Sequence, residues 1–239
     1  MTSVEPTDQP LSTGSGYVAV PVPTRDRPGP WPGVVLVHDG LGLGDDMREQ
    51  ADWLAAAGYV VSAPDLFGGR RGIGCIKKAF AQLAARQGPI FDEVERARSA
   101  LAAAPECTGT VGVIGYCLGG GFALVLAGRP GWSAASVNYG PIPDDVAELL
   151  DGACPIVASY GGRDRSMPGA AARLAEAAEQ TGATVEIKEY PGAGHAFINR
   201  LVALSPLVPL MKVTGFAYHH DAAADAKRRI LAFFDQHLR

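Results

Sequence analysis

Three side chains in this 239-residue chain have the types and spacing that acyl transfer uses: Cys117, Asp164 and His195. Cys117 lies in the run Gly115, Tyr116, Cys117, Leu118, Gly119, followed by Gly120 and Gly121 and preceded by the apolar residues Val111, Gly112, Val113 and Ile114. A G-x-C-x-G between a buried strand and a helix is the pattern of a nucleophile elbow with a thiol in place of a hydroxyl. The flanking glycines are required because the turn strains the nucleophile's backbone and brings strand and helix too close for side chains. At a helix N-terminus the free backbone N–H groups and the helix dipole favour thiolate over thiol. A cysteine beside packing glycines could also be a buried thiol. Here strand, elbow and helix agree, which favours the nucleophile.

The other two residues follow predicted strands. Asp164 closes the loop Gly161, Gly162, Arg163, Asp164 after a strand over 156–160, and His195 follows a strand over 184–190 within Pro191, Gly192, Ala193, Gly194, His195. The chain order nucleophile, acid, base is that of an α/β-hydrolase. A developing oxyanion needs two donors, and the backbone N–H of Leu118 and that of Gly40 are the candidates. Gly40 sits in the loop His38, Asp39, Gly40, Leu41, Gly42, where a glycine lets the backbone approach a substrate closely.

To place these groups together the chain needs parallel strands that end at one edge. Apolar runs at 33–37, 59–63, 111–114, 134–137, 156–160 and 184–190 read as strands. Helical spacing marks 45–57, the segment carrying Phe91, Val94, Ala97 and Leu101, the elbow helix at 122–127, 170–180, and a final amphipathic helix with Ala226, Ile230, Phe233, Phe234 and Leu238 and with Asp221 as its N-cap. Residues 16–22 alternate like an antiparallel edge strand. The repeated βα units predict an α/β fold, a mainly parallel twisted sheet with helices on both faces.

With 47% hydrophobic residues the chain can bury one sizeable core, so a single domain over 16–239 is expected, behind a loose polar tail at 1–15. The net charge of −4 gives no broad positive field, which argues against nucleic acid and anionic membrane surfaces as partners. No apolar stretch is long enough to span a bilayer and the N-terminus lacks a signal-peptide core. Cys75, Cys107, Cys117 and Cys154 show no C-x-x-C pairing, which fits a reducing cytoplasm with neither zinc nor a redox dithiol. His219, His220 and Asp221 are adjacent and cannot all face one ion, so no metal is expected there.

On these residues the chain resembles the dienelactone hydrolase family, the cysteine-nucleophile branch of the α/β-hydrolases. The similar features are residues 34–42, then Gly58 and Tyr59, Ala63 to Leu66, the elbow, Tyr139 with Gly140, Gly162 to Asp164, Gly194 to Phe197, and the last helix with Phe233 and Phe234. The resemblance implies a cysteine acylated by a lactone or ester with the help of His195 and Asp164, no cofactor, a small-molecule substrate, and a monomer or small homo-oligomer. It also implies a carboxylate partner for the resting thiol at Asp39, where the family carries the longer glutamate. The substrate-contact candidates it gives are Arg70, Arg71, Tyr139, Phe197 and Asn199, the last standing where the family has an arginine, with Arg200 one place on. Arg70 and Arg71 could equally be solvated loop charges. The apolar insertion around 201–215 reads as a lid or as satellite core. Two other readings compete: a non-catalytic or redox-sensing α/β-hydrolase scaffold, and dinucleotide binding at Gly40, Gly42 and Gly44. The second fails on spacing, since the third glycine position of G-x-G-x-x-G is Asp45.

Overall fold

The computed structural model describes residues 16–200 and 216–239. The expected tail at 1–15 and the insertion at 201–215 lie outside those residues.

Seven strands form one sheet: β1 (Gly16–Ala19), β2 (Trp31–Val37), β3 (Val60–Pro64), β4 (Cys107–Tyr116), β5 (Ala135–Asn138), β6 (Ile156–Gly161) and β7 (Val185–Tyr190). Their order is β1-β3-β2-β4-β5-β6-β7, every pairing parallel except the antiparallel β1–β3 edge. The central strands β2, β3, β5 and β6 are buried along their whole length, so they appear in sequence as continuous apolar runs. The far edge, β7, instead alternates, with Glu186, Lys188 and Glu189 breaking its apolar content. Pro32 has no N–H for the ladder, and the β2–β4 register shifts between Trp31 and Gly33 to accommodate it.

Helices cover both faces. On one side α1 (Asp45–Ala56) and the last helix, α7 (His220–Leu238), bury Met47, Ala51, Leu54, Ala226, Ile230 and Phe234 against the sheet. On the other lie α2 (Ile73–Ala85), α3 (Pro89–Ala102), α4 (Leu118–Ala127), α5 (Val146–Leu150) and α6 (Ala170–Thr181). This is the α/β-hydrolase architecture, as the βα alternation predicts. Three details differ. The edge strand β1 stops at Ala19, ahead of Pro21 and Pro23. Helices α2 and α5 are additional to those the spacing predicts: in α2 only Ala79 is fully buried, so its apolar residues show little of the stripe that marks a core helix. The N-cap of α7 is His219, whose Nδ1 accepts from the Ala222 N–H, and Asp221 falls in the first turn.

Candidate active site

At the β4–α4 junction Cys117 has φ 53° and ψ −121°, a conformation that costs a non-glycine residue on the order of 1–3 kcal/mol. Close packing holds it there. A Cβ on Gly115 would lie 2.0 Å from the Gly119 carbonyl oxygen, and one on Gly119 would lie 2.2 Å from the Val37 oxygen and 2.6 Å from that of His38. The elbow is thus pressed against the end of β2. Of the four non-glycine residues with positive φ among the described residues, Cys117, Tyr139 and Ala196 gather here, so the strain concentrates at one place.

Asp164 and His195 arrive from the loops after β6 and β7, and both are buried. The His195 Nδ1–H donates to Asp164 Oδ2 at 2.5 Å. The other carboxylate oxygen accepts the Ser166 hydroxyl at 2.6 Å and the Ser166 N–H at 2.9 Å. With Nδ1 committed to Asp164, the ring presents Nε2 to the Cys117 sulfur, which is within hydrogen-bond reach. Burial alone would depress the imidazole, but Asp164 and Cys117 outweigh it and push its pKa up to about 9. For Asp164 burial works upward, and the bonds from His195 and Ser166 override it, holding the carboxyl below its ordinary value. The imidazole packs between Tyr139 and Phe216, at ring centroid distances of 5.2 and 4.6 Å.

Neither the Gly40 nor the Leu118 N–H donates to any group among the described residues. Leu118 opens α4, where the first N–H groups of a helix have no intrahelical acceptor. Both N–H groups are thus without an acceptor among the described residues.

Asp39 is also buried, and its Oδ1 accepts the Leu41 N–H at 2.8 Å. Burial, with Asp46 adding to it, pushes its carboxyl up to about 6 against the opposing pull of Leu41, His195 and Asn199. No hydrogen bond joins Asp39 to Cys117 among the described residues. One carboxylate oxygen thus closes the Asp39–Leu41 turn, and Asn199 acts on the carboxylate as well.

Asn199 is fully buried and its Oδ1 accepts from Gln50 Nε2 at 3.3 Å; Gln50 Oε1 in turn accepts the Tyr116 hydroxyl at 3.4 Å. Its Nδ2 biases Asp39 toward the charged form but has no well-aligned acceptor. Phe197 packs edge-to-face against Tyr139 and at a tilt against Tyr190, at ring centroid distances of 5.6 and 5.0 Å, within the core. The buried Tyr139 hydroxyl has no partner among the described residues; burial and the nearby Tyr116, Asp39 and Cys117 raise its pKa well above the ordinary phenol. Arg70 and Arg71 line a different cavity of about 860 Å³ with Phe67, Cys75, Lys78 and Arg96, whose wall includes none of Cys117, Asp164 and His195. Arg200 stacks over Tyr218.

Three supporting residues escape the sequence reading: Ser166, Gln50 and His38. Ser166 had a signal, since Asp164-x-Ser166 is an Asx-turn spacing. Gln50 and His38 had none, because a polar residue's partners from distant segments leave no local pattern.

Residues 15–238 match the family model described as the dienelactone hydrolase family. A candidate carboxymethylenebutenolidase of Yersinia pestis is 27% identical over 92% of this chain and 83% of its own length. The carboxymethylenebutenolidase of Pseudomonas putida is 26% identical over 85% of each chain. The crystal structure of a candidate dienelactone hydrolase from Klebsiella pneumoniae superposes with a TM-score of 0.75 at 25% identity, covering 98% of this chain and 99% of that one. A match that runs from the first described strand to the end of α7 leaves no segment of the fold outside it, and the chain belongs to the dienelactone hydrolase family.

Proposed function

We propose that this member of the family hydrolyses a lactone or carboxylic ester by acylating Cys117. The observation that carries the reading is the Cys117 sulfur held by a strained elbow within reach of an imidazole whose far nitrogen is fixed by a buried carboxylate. A thiol used only for redox sensing needs no oriented base of this kind.

The chemistry follows from the charges. With a pKa of about 9, His195 is protonated at neutral pH and pairs with the attacking thiolate. The sulfur adds to the carbonyl carbon, and the oxyanion takes the free N–H groups of Leu118 and Gly40. As the C–O bond breaks, the leaving alkoxide or enolate takes the proton from His195 Nε2. The neutral imidazole then draws a proton from water, hydroxide adds to the thioester, and the acid departs as the thiolate and imidazolium return. Asp164 stabilises the imidazolium and fixes its tautomer. In a lactone the leaving group stays tethered, so ring opening yields one hydroxy or keto acid.

A panel of small lactones, aryl esters and thioesters tests this, with Cys117→Ala as control. Turnover of an ester or lactone that disappears in the folded variant is expected. Turnover that survives loss of the sulfur contradicts the proposal.

A further inference from the structure

We propose that His38 is the positioning residue of the oxyanion hole: its buried imidazole ties the loop after β2 to the loop after β3 and so fixes the peptide that presents the Gly40 N–H. The proposal rests on the hydrolytic reading above and adds to it a residue that touches neither the thiol nor the triad.

The ring is 2% exposed and both nitrogens are engaged. Nε2 lies 3.1 Å from the Leu66 backbone nitrogen, and a backbone N–H can only donate. Nε2 is therefore bare. The proton must then sit on Nδ1, which lies 2.7 Å from the Asp39 carbonyl oxygen, a group that can only accept. One neutral tautomer satisfies both bonds. Burial, which holds the imidazole below its ordinary pKa, keeps it in that state.

The Asp39 carbonyl and the Gly40 N–H belong to the same peptide unit. That unit is planar and trans, so its C=O and N–H point in opposite directions. Holding the Asp39 oxygen toward His38 aims the Gly40 N–H away from it. The Gly42 N–H, 3.2 Å from the same oxygen, reinforces the hold, and the Leu41 N–H on Asp39 Oδ1 closes the turn. The His38 carbonyl oxygen packs against the elbow, where a Cβ added to Gly119 would lie 2.6 Å from it. On the far side the ring meets the edge of Phe67 at 4.7 Å, so the β3 loop forms its backing. The result is a donor oriented before any charge develops, which is the condition under which such a donor lowers a barrier.

Two reactions of the same sulfur separate positioning from general support. Acylation by p-nitrophenyl acetate develops an oxyanion, whereas alkylation by iodoacetamide does not. In His38→Phe, which keeps the ring and loses the donor, acylation is expected to fall by about tenfold to a hundredfold, less than the roughly hundredfold to thousandfold for outright loss of one oxyanion donor, because the Gly40 N–H is misaimed and not removed. Alkylation should stay within about twofold. His38→Asn, whose amide can donate near the position of Nδ1, should recover most of the acylation rate. If His38→Phe does not fold, the comparison of His38→Asn with His38→Leu reads the same ratio of acylation to alkylation. Equal losses in both reactions, or no loss in either, overturn the positioning role alone. Absence of acylation in the unaltered chain, with alkylation intact, overturns the hydrolytic reading and this proposal with it.

Discussion

Replacing Gly119 with alanine should damage stability and rate together, and the structure sets how much. The new Cβ would lie 2.2 Å from the Val37 oxygen and 2.6 Å from the His38 oxygen, both main-chain atoms at the end of a buried strand. Restoring ordinary contact means opening the gap between elbow and strand by about 1 Å, and neither side is a flexible side chain. Overpacking of this kind costs about 3 kcal/mol, the upper part of its usual range. For a chain of this size that lowers the melting temperature by about 6–12 °C. In the proposed mechanism the same displacement separates Cys117 from the Gly40 N–H, and a misplacement of about 1 Å costs on the order of a hundredfold in rate. Thermal unfolding by circular dichroism and kcat/KM on an aryl ester read the two effects. Gly74→Ala is the matched control, since a Cβ there meets nothing within 4 Å. If Gly119→Ala melts within 2 °C of the parent, roughly the shift of a 1 kcal/mol change or less, and keeps kcat/KM within about threefold, against the roughly hundredfold loss expected from misplacement, the packing account of the elbow is wrong.

Asp164→Asn should lower kcat/KM by a factor on the order of 10² to 10⁴. It should also move the alkaline limb of the pH profile downward from about pH 9, because the carboxylate helps to hold His195 at that value; an unmoved limb contradicts the pairing. Asp39 works in the opposite sense to most acids. Its folded pKa is raised from 3.8 to about 6, so its contribution to stability is fully present below about pH 4 and is lost as pH rises through 6. Asp39→Asn should therefore unfold at higher urea than the parent at pH 7.5, by about 1–3 kcal/mol, with the advantage vanishing near pH 4; a constant difference across that window would show that Asp39 does not titrate there. Substrate charge gives another test. Asn199 is bonded to Gln50 and Arg70 and Arg71 line a separate cavity, so a neutral ester should be turned over at least as well as its carboxylated analogue. A tenfold or greater preference for the carboxylate, about 1.4 kcal/mol, would place a cation at the site.

What could be read in the residues was whatever leaves a local mark. The elbow is legible because strain and close approach demand glycines at fixed offsets from Cys117, and β2, β3, β5, β6 and the second half of β4 because burial on both faces demands apolar runs. Asp164 could be placed because it follows such a strand, and His195 because it follows the alternating edge strand β7. α2 was missed because Ile73 and Phe80 face outward, so its hydrophobic pattern lacks a buried stripe. The partnerships of His38 with Leu66, and of Gln50 with Asn199 and Tyr116, join residues far apart in the chain. Such bonds depend on loop geometry that no spacing rule encodes. The same holds for the bond between Asp39 Oδ1 and the Leu41 N–H, which local turn geometry sets.

The central claim is that an acyl group passes through one sulfur. Rapid mixing with an activated aryl ester, acid quench and peptide mass mapping test it directly. The account predicts a burst of phenolate near one equivalent and a single acyl group on the peptide carrying Cys117, absent in Cys117→Ala and long-lived in His195→Ala if any forms. Steady turnover with no burst and no acyl adduct on that peptide, under conditions where deacylation is slowed, would contradict it.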